Sequence, residues 1–199
     1  MKKVIITVFI LSLLLLIGCQ VPDDVPQAEV IEDVQTEDTP QAEVLDEVQA
    51  EETQGTEVPI NKEVSSFTFE GYAPGKSQDG TFEEIEGFLL KEENNVVGMQ
   101  GVIQAASVNT EIEGLDDHLK KDDFFDVEVY PTIEFISTSI ENNQMSGTLI
   151  FHGVAKSVVF PVETTENSVS ADFLLDTTDF NMKNAGVDKN VKITFRMSE

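Results

Sequence analysis

Over the second two thirds of the chain, apolar and polar residues alternate one for one. Val169, Ala171, Phe173 and Leu175 alternate with Ser168, Ser170 and Asp172, and Val191, Ile193, Phe195 and Met197 alternate with Lys192, Thr194 and Arg196. Successive strand residues point to opposite faces, so a period of two predicts a strand with one dry and one wet face. The same pattern runs through Phe67 and Phe69, through Met145, Gly147, Leu149 and Phe151, and through Val158, Phe160 and Val162. Turn signals separate these runs at Pro74-Gly75, Asp79-Gly80, Asn94-Asn95, Asn142-Asn143, Asn167-Ser168 and Asn184-Ala185-Gly186. Many short strands joined by short hairpins give an antiparallel sandwich or an up-and-down barrel. Glycines at 71, 87, 98, 101, 147 and 153 fall in or beside the strand patterns, as in a strongly coiled sheet, and tilt the choice toward a barrel. A barrel of about eight strands either fills with side chains or keeps room for one small ligand.

One stretch breaks the alternation. In Leu115 to Glu134, LDDHLKKDDFFDVEVYPTIE, helix, turn and strand signals crowd together. Asp116 or Asp117 is expected to cap a short helix carrying His118, Leu119, Lys120 and Lys121, and Asp122 and Asp123 end it before the apolar pair Phe124-Phe125. Tyr130-Pro131 sets an extended backbone that leads into a strand from Thr132. The stretch reads as a plug at a corner of the β structure.

The first 64 residues follow other rules. After two lysines, Val4 to Ile17 is apolar except for Thr7 and Ser12, too short to span a bilayer and the right length for the core of a signal peptide. Leu16-Ile17-Gly18-Cys19 resembles a lipobox, and Cys19 is the single cysteine, so no disulfide forms within the chain. Residues 1–18 are therefore expected to be a lipoprotein signal peptide and Cys19 the acylated anchor. From 19 to 64 the sequence reads as a disordered acidic tether. Gln20 to Val64 holds 14 acidic residues against the single Lys62, with no aromatic residue. Within it Pro26 to Thr39 recurs as Pro40 to Thr53, a 14-residue tandem copy. The net charge of −26 argues against nucleic acid as a partner.

Candidate chemistry is sparse. His118 and His152 are the only histidines, and Asp116, Asp117, Asp122, Asp123 and Asp126 lack the glycine and alternating oxygen spacing of an EF-hand loop. Ser77, Ser107, Ser137 and Ser139 sit in no nucleophile-elbow context, and no glycine-rich phosphate loop is present. The expectation is no catalytic residue, no metal and no cofactor.

The order HL, DFFDV, YP in LDDHLKKDDFFDVEVYPTIEFISTSI, followed by Leu149-Ile150-Phe151-His152-Gly153-Val154-Ala155-Lys156, resembles the YceI-like family. Gly80-Thr81-Phe82 and Thr178-Asp179-Phe180-Asn181 extend the resemblance over residues 65–199. Gln78 departs from it, standing where relatives with a KSHxG-type turn carry histidine. The resemblance implies an all-β, antiparallel, eight-stranded lipocalin-like barrel closed by a short helix, with a lumen for a polyisoprenoid or other long-chain lipid and no enzymatic activity. The residues expected to line that lumen are Phe67, Phe69, Phe135, Leu149, Phe151, Phe160, Phe173 and Phe195, with Phe124 and Phe125 at the plug. The combined expectation is a membrane-anchored, extracytoplasmic lipid-binding lipoprotein, periplasmic or at the cell surface, with pairing into a homodimer left open. The competing expectation is a filled barrel serving as a non-enzymatic envelope scaffold or adhesion lipoprotein.

Overall fold

The computed structural model describes residues 20–33, 55–183 and 186–199. The apolar leader, Cys19 and the second copy of the tandem repeat lie outside the described residues.

Along the described residues the strands are β1 (Glu29–Asp33), β2 (Thr56–Pro59), β3 (Ser66–Ala73), β4 (Lys76–Phe82), β5 (Ile85–Glu92), β6 (Asn95–Gln104), β7 (Val108–Asn109), β8 (Thr132–Glu141), β9 (Gln144–Phe151), β10 (Val154–Pro161), β11 (Glu163–Thr164), β12 (Ser168–Asp176) and β13 (Asn190–Ser198). One α-helix, α1 (Glu113–Leu119), and two short 3-10 turns complete the set. Two sheets result, ordered β1-β10-β9-β8-β6-β5-β2 and β11-β12-β13-β3-β4-β7.

The two sheets are halves of one barrel, because three long strands bend from one into the other. β4 passes into β5 at Glu83-Glu84 while its partner β6 passes into β7 at Gln104–Ser107, and the bend keeps its hydrogen bonds through Gln104 N to Glu84 O (3.0 Å) and Glu83 N to Ser107 O (3.1 Å). β2 alongside β5 leads likewise into β3 alongside β4. Counting each bent pair once, and setting aside β1 and the two-residue β11, gives eight antiparallel staves and eight seams, seven of them ladders. The eighth, between β10 and β12, is laddered only at one end, where β11, which follows β10 after Val162, pairs Glu163 with Ser170 and Thr164 with Val169.

That seam is covered by chain from the acidic region. β1 pairs antiparallel with β10, setting Val30 opposite Val158, and just before it Gln27 bridges Leu174 of β12 in parallel. Ala28 N donates to Leu174 O and Leu174 N to Pro26 O, both at 2.8 Å. Ala28 is buried, Val30 packs against the core and Ile31 points out, 63% exposed. Residues read from composition as solvated tether are thus strand at Glu29–Asp33 and again at Thr56–Pro59. The reason is geometric. An open sheet edge offers unpaired N–H and C=O groups to any backbone, and a charged residue fits there when its side chain faces water.

The helix also differs from its expected start. α1 begins three residues earlier than Asp116, with Ile112 in the N-cap position and no side-chain cap. Asp116 instead reaches back, its Oδ1 accepting from Thr110 N at 2.7 Å and Thr110 Oγ1 at 2.6 Å. The carboxylate anchors the strand-to-helix loop in place of capping the helix. The turn after α1 matches the plug reading, with Phe125 N donating to Leu119 O (2.9 Å) and Tyr130 N to Asp126 O (2.8 Å).

Candidate ligand cavity

The inward faces of the staves do not meet. They surround a cavity of about 630 Å³, partly open to solvent and lined almost wholly by apolar side chains. Its wall is a connected run of phenylalanine rings. Phe135, Phe160, Phe195, Phe67, Phe82, Phe125 and Phe151 follow one another with centroid separations of 5.4, 6.0, 6.5, 5.9, 5.4 and 6.2 Å. Phe125 of the plug enters this run from below α1, while Phe124 packs its ring against His118 at 4.9 Å.

The space stays open because glycine lets two of these rings lie flat on the wall. Gly80 faces Phe69 across the β3/β4 ladder, and a Cβ there would stand 2.2 Å from Phe69 Cζ. Gly147 plays the same part under Phe135, whose Cζ would lie 2.5 Å from its Cβ. A larger residue at either place would push its ring toward the middle of the lumen.

Across the open seam the closure is made by side chains. Phe160 of β10 stacks on Phe173 of β12 at 4.4 Å and 13°. Beside them Ala28 from the strap before β1 contributes to the lining. The polar residues of the lining include Lys76, Ser77 and Gln78 of the β3–β4 hairpin, His118 of α1, Glu134 of β8, Thr177 after β12 and Asp188 of the loop before β13. Gln78 Nε2 donates to Asp79 O at 2.9 Å. Tyr72, buried nearby, donates its hydroxyl to Glu70 Oε2 at 2.9 Å, and burial together with that carboxylate raises its pKa far above the ordinary tyrosine value. It is a neutral donor at any physiological pH.

All ten lumen and plug residues expected from the sequence, Phe67, Phe69, Phe124, Phe125, Phe135, Leu149, Phe151, Phe160, Phe173 and Phe195, lie in the cavity lining. The structure adds Phe82, Met99, Ile103, Leu175 and Ile193, which close the gaps between them. Phe82 is the notable omission, since it touches Phe67, Phe69 and Phe125 at once. Its signal was its place at the end of the β4 alternation, two residues after Gly80. Ala28 was missed because nothing in an acidic, proline-bearing stretch marks it as lining.

The two histidines do not meet in a site. His118 Nε2 lies 3.8 Å from Asp123 Oδ2 on an exposed flank. His152 sits in the β9–β10 turn with positive φ (51°), its ring against Tyr130 at 4.4 Å. Burial lowers its pKa, against weaker upward pulls from Asp126 and the Phe180 carbonyl. No described cluster of three or more His, Cys, Asp or Glu could hold a metal ion. No helix among the described residues is long and apolar enough to cross a membrane.

A family model described as the YceI-like domain matches residues 59–198. Among curated proteins, a UPF0312 protein of Photorhabdus laumondii is 34% identical over 90 residues, covering 42% of this chain and 47% of that protein. A UPF0312 protein of Staphylococcus aureus is 28% identical over 112 residues, covering 50% of this chain and 66% of its own. The chain thus spans about half to two thirds of the length of these relatives. Among solved structures, BcnA of Burkholderia cenocepacia superimposes with a TM-score of 0.61 at 20% identity, covering 70% of this chain and 99% of that one. A polyisoprenoid binding domain from Saccharophagus degradans gives 0.57 at 16% identity, covering 70% and 95%. At these identities the likeness establishes the fold.

Proposed function

We propose, from the premise that this chain belongs to the YceI-like domain family, that its barrel holds one long-chain amphiphile, a polyisoprenoid or similar lipid, with the tail in the lumen. The observation that carries this reading is the phenylalanine-lined cavity of about 630 Å³, within the size range of ligand pockets. An apolar space of this size gains free energy by admitting hydrocarbon. At roughly 0.8 kcal/mol per buried CH₂, ten methylenes contribute about 8 kcal/mol before the costs of binding. Polar residues of the lining, Lys76 and Gln78 among them, supply hydrogen-bonding groups for a head group. The mechanism is sequestration or transfer without covalent chemistry.

The protein works, in this reading, outside the cytoplasm as a lipoprotein anchored through acylated Cys19. The lysine-led apolar segment, the lipobox-like Leu16-Ile17-Gly18-Cys19 and the acidic chain after it support this. More than one acyl chain on the cysteine gives lasting attachment. Solvent extraction of the purified protein followed by mass spectrometry is the test. A stoichiometric long-chain lipid is the expected result. No lipid in the extract, together with no uptake of an added isoprenoid alcohol, overturns the carrier and leaves an anchored envelope scaffold. Loss of fatty-acid labelling in Cys19→Ala tests the anchor separately.

A further inference from the structure

We propose that the open seam between β10 and β12 is a strand-docking groove that accepts either of two tandem segments of this chain, Pro26–Val30 or Pro40–Val44. The first is the one seated in the structure. Each of its contacts is carried by a residue that the second copy repeats. Pro26 O accepts from Leu174 N, the Gln27 side chain donates to Leu174 O at 3.1 Å, Ala28 turns its small side chain to the cavity, and Val30 packs opposite Val158. Pro-Gln-Ala-Glu-Val recurs unchanged at 40–44. The first difference, Ile31 to Leu45, falls at a side chain that is 63% exposed, where the groove does not read it. Beyond it Asp46-Glu47 replaces Glu32-Asp33, acid for acid.

Chain length permits the exchange. With the second copy seated through Glu47, as the first is through Asp33, residues 48–55 remain to reach β2, up to about 29 Å when extended. The longest strands of the barrel have ten residues, about 33 Å, so the connection reaches most of the barrel's length. Closing this 8-residue loop in place of the 22-residue loop 34–55 favours the second copy by roughly four- to fivefold on loop-closure scaling, so neither occupancy is negligible.

The exchange changes the distance between barrel and anchor. With the first copy seated, residues 20–25 separate Cys19 from the groove, a reach of about 20 Å; with the second, residues 20–39 do, about 70 Å. This consequence rests on the reading of Cys19 as an anchor, whereas the groove does not.

Disulfide trapping in the full mature chain with Cys19→Ser tests the groove directly, since no other native thiol remains. Val30→Cys with Val158→Cys joins ladder partners and reports the first copy. Val44→Cys with Val158→Cys reports the second, and Thr53→Cys with Val158→Cys measures random collision. Under redox cycling the 44–158 pair is expected to trap at least fivefold above the 53–158 control. Ala28→Asp should raise it by no more than about a quarter, and added Ala42→Asp should return it to the control level. Trapping of 44–158 no greater than 53–158, with Ala28 intact and with Ala28→Asp alike, overturns the proposal. The intact-Ala28 arm does not perturb the seated strap, so the test stands even if the aspartate variant unfolds.

Discussion

The barrel closes in two different ways on its two flanks, and the difference shows which parts of a lipid-binding wall the alternating sequence specifies. On one flank β12, β13 and β3 are joined by unbroken ladders, with Phe173 paired to Ile193 and Phe195 to Phe67, so backbone hydrogen bonds and side-chain packing specify the same register. On the other flank β10 and β12 face each other without a ladder. The two-residue β11–β12 ladder at one end, the Phe160–Phe173 stack and the strap from the acidic segment keep water out. A laddered wall opens only by unfolding. A strapped seam can open locally, because few contacts hold it.

Truncating one ring on each flank makes the largest test of this contrast. Phe195→Ala on the laddered wall and Phe160→Ala at the seam each remove a buried ring and should each cost about 3–4 kcal/mol in urea unfolding. Release of a bound apolar fluorophore should quicken several-fold more for Phe160→Ala than for Phe195→Ala, since only Phe160 spans the seam. Equal release rates would mean that the seam is as tight as the ladders. Next in size is Gly80→Ala. Its Cβ displaces the Phe69 ring from the wall, costing about 1–3 kcal/mol, and the displaced ring occupies lumen that the ligand needs. Isothermal titration with a long-chain alcohol should show weaker binding, and Phe69→Leu in the same chain should restore part of it.

The contrast between flanks also explains what could be read before the structure was seen. The laddered wall is written in the period-two pattern of Ser168–Asp176 and Asn190–Ser198, and a one-residue slip there would turn Phe173 and Phe195 into water. Hence the strands of this wall and the inward side of Phe173 and Phe195 were readable, while the choice of a barrel over a sandwich rested on the glycines and on the family resemblance. The strap was not readable, because three of the five residues in Glu29–Asp33 are acidic and the segment follows a proline. Those features describe a solvated chain and a sheet-edge strand equally well, and only an open edge opposite Leu174 decides between them. The helix start was misjudged for a related reason. Asp116 carries a capping signal, but its carboxylate is taken by Thr110 six residues upstream, a tertiary choice that no local rule contains.

Breaking the strap itself should cost less than breaking the ring stack. Ala28→Asp with Ala42→Asp places a carboxylate against the apolar lining in either copy, and the barrel then loses the strap's few hydrogen bonds and small buried area, about 1–2 kcal/mol. Cleavage at Glu29 by a glutamate-specific protease should rise at least tenfold while the far-UV circular dichroism of the barrel stays unchanged. Unchanged cleavage would show that the strap contributes nothing to closing the seam.

The smallest effect is a pH dependence at the β9–β10 turn, away from both flanks. Burial holds the folded His152 pKa below its ordinary value near 6.5, the Lys183 ammonium adding to this and the Asp126 carboxylate opposing it. As pH falls through 6.5 the unfolded chain takes up a proton that the folded turn resists, so stability declines until the folded pKa is passed and then levels off. His152→Phe removes the titrating group while keeping a ring against Tyr130. The difference in melting temperature between parent and variant should therefore shift by a few degrees between pH 7.5 and 5.5, in favour of the variant at the acid end. The release rate of a bound apolar fluorophore should not follow this shift, because the turn lies at neither the seam nor the lining, and a release rate that tracked it would mean that the barrel opens through the turn and not between β10 and β12.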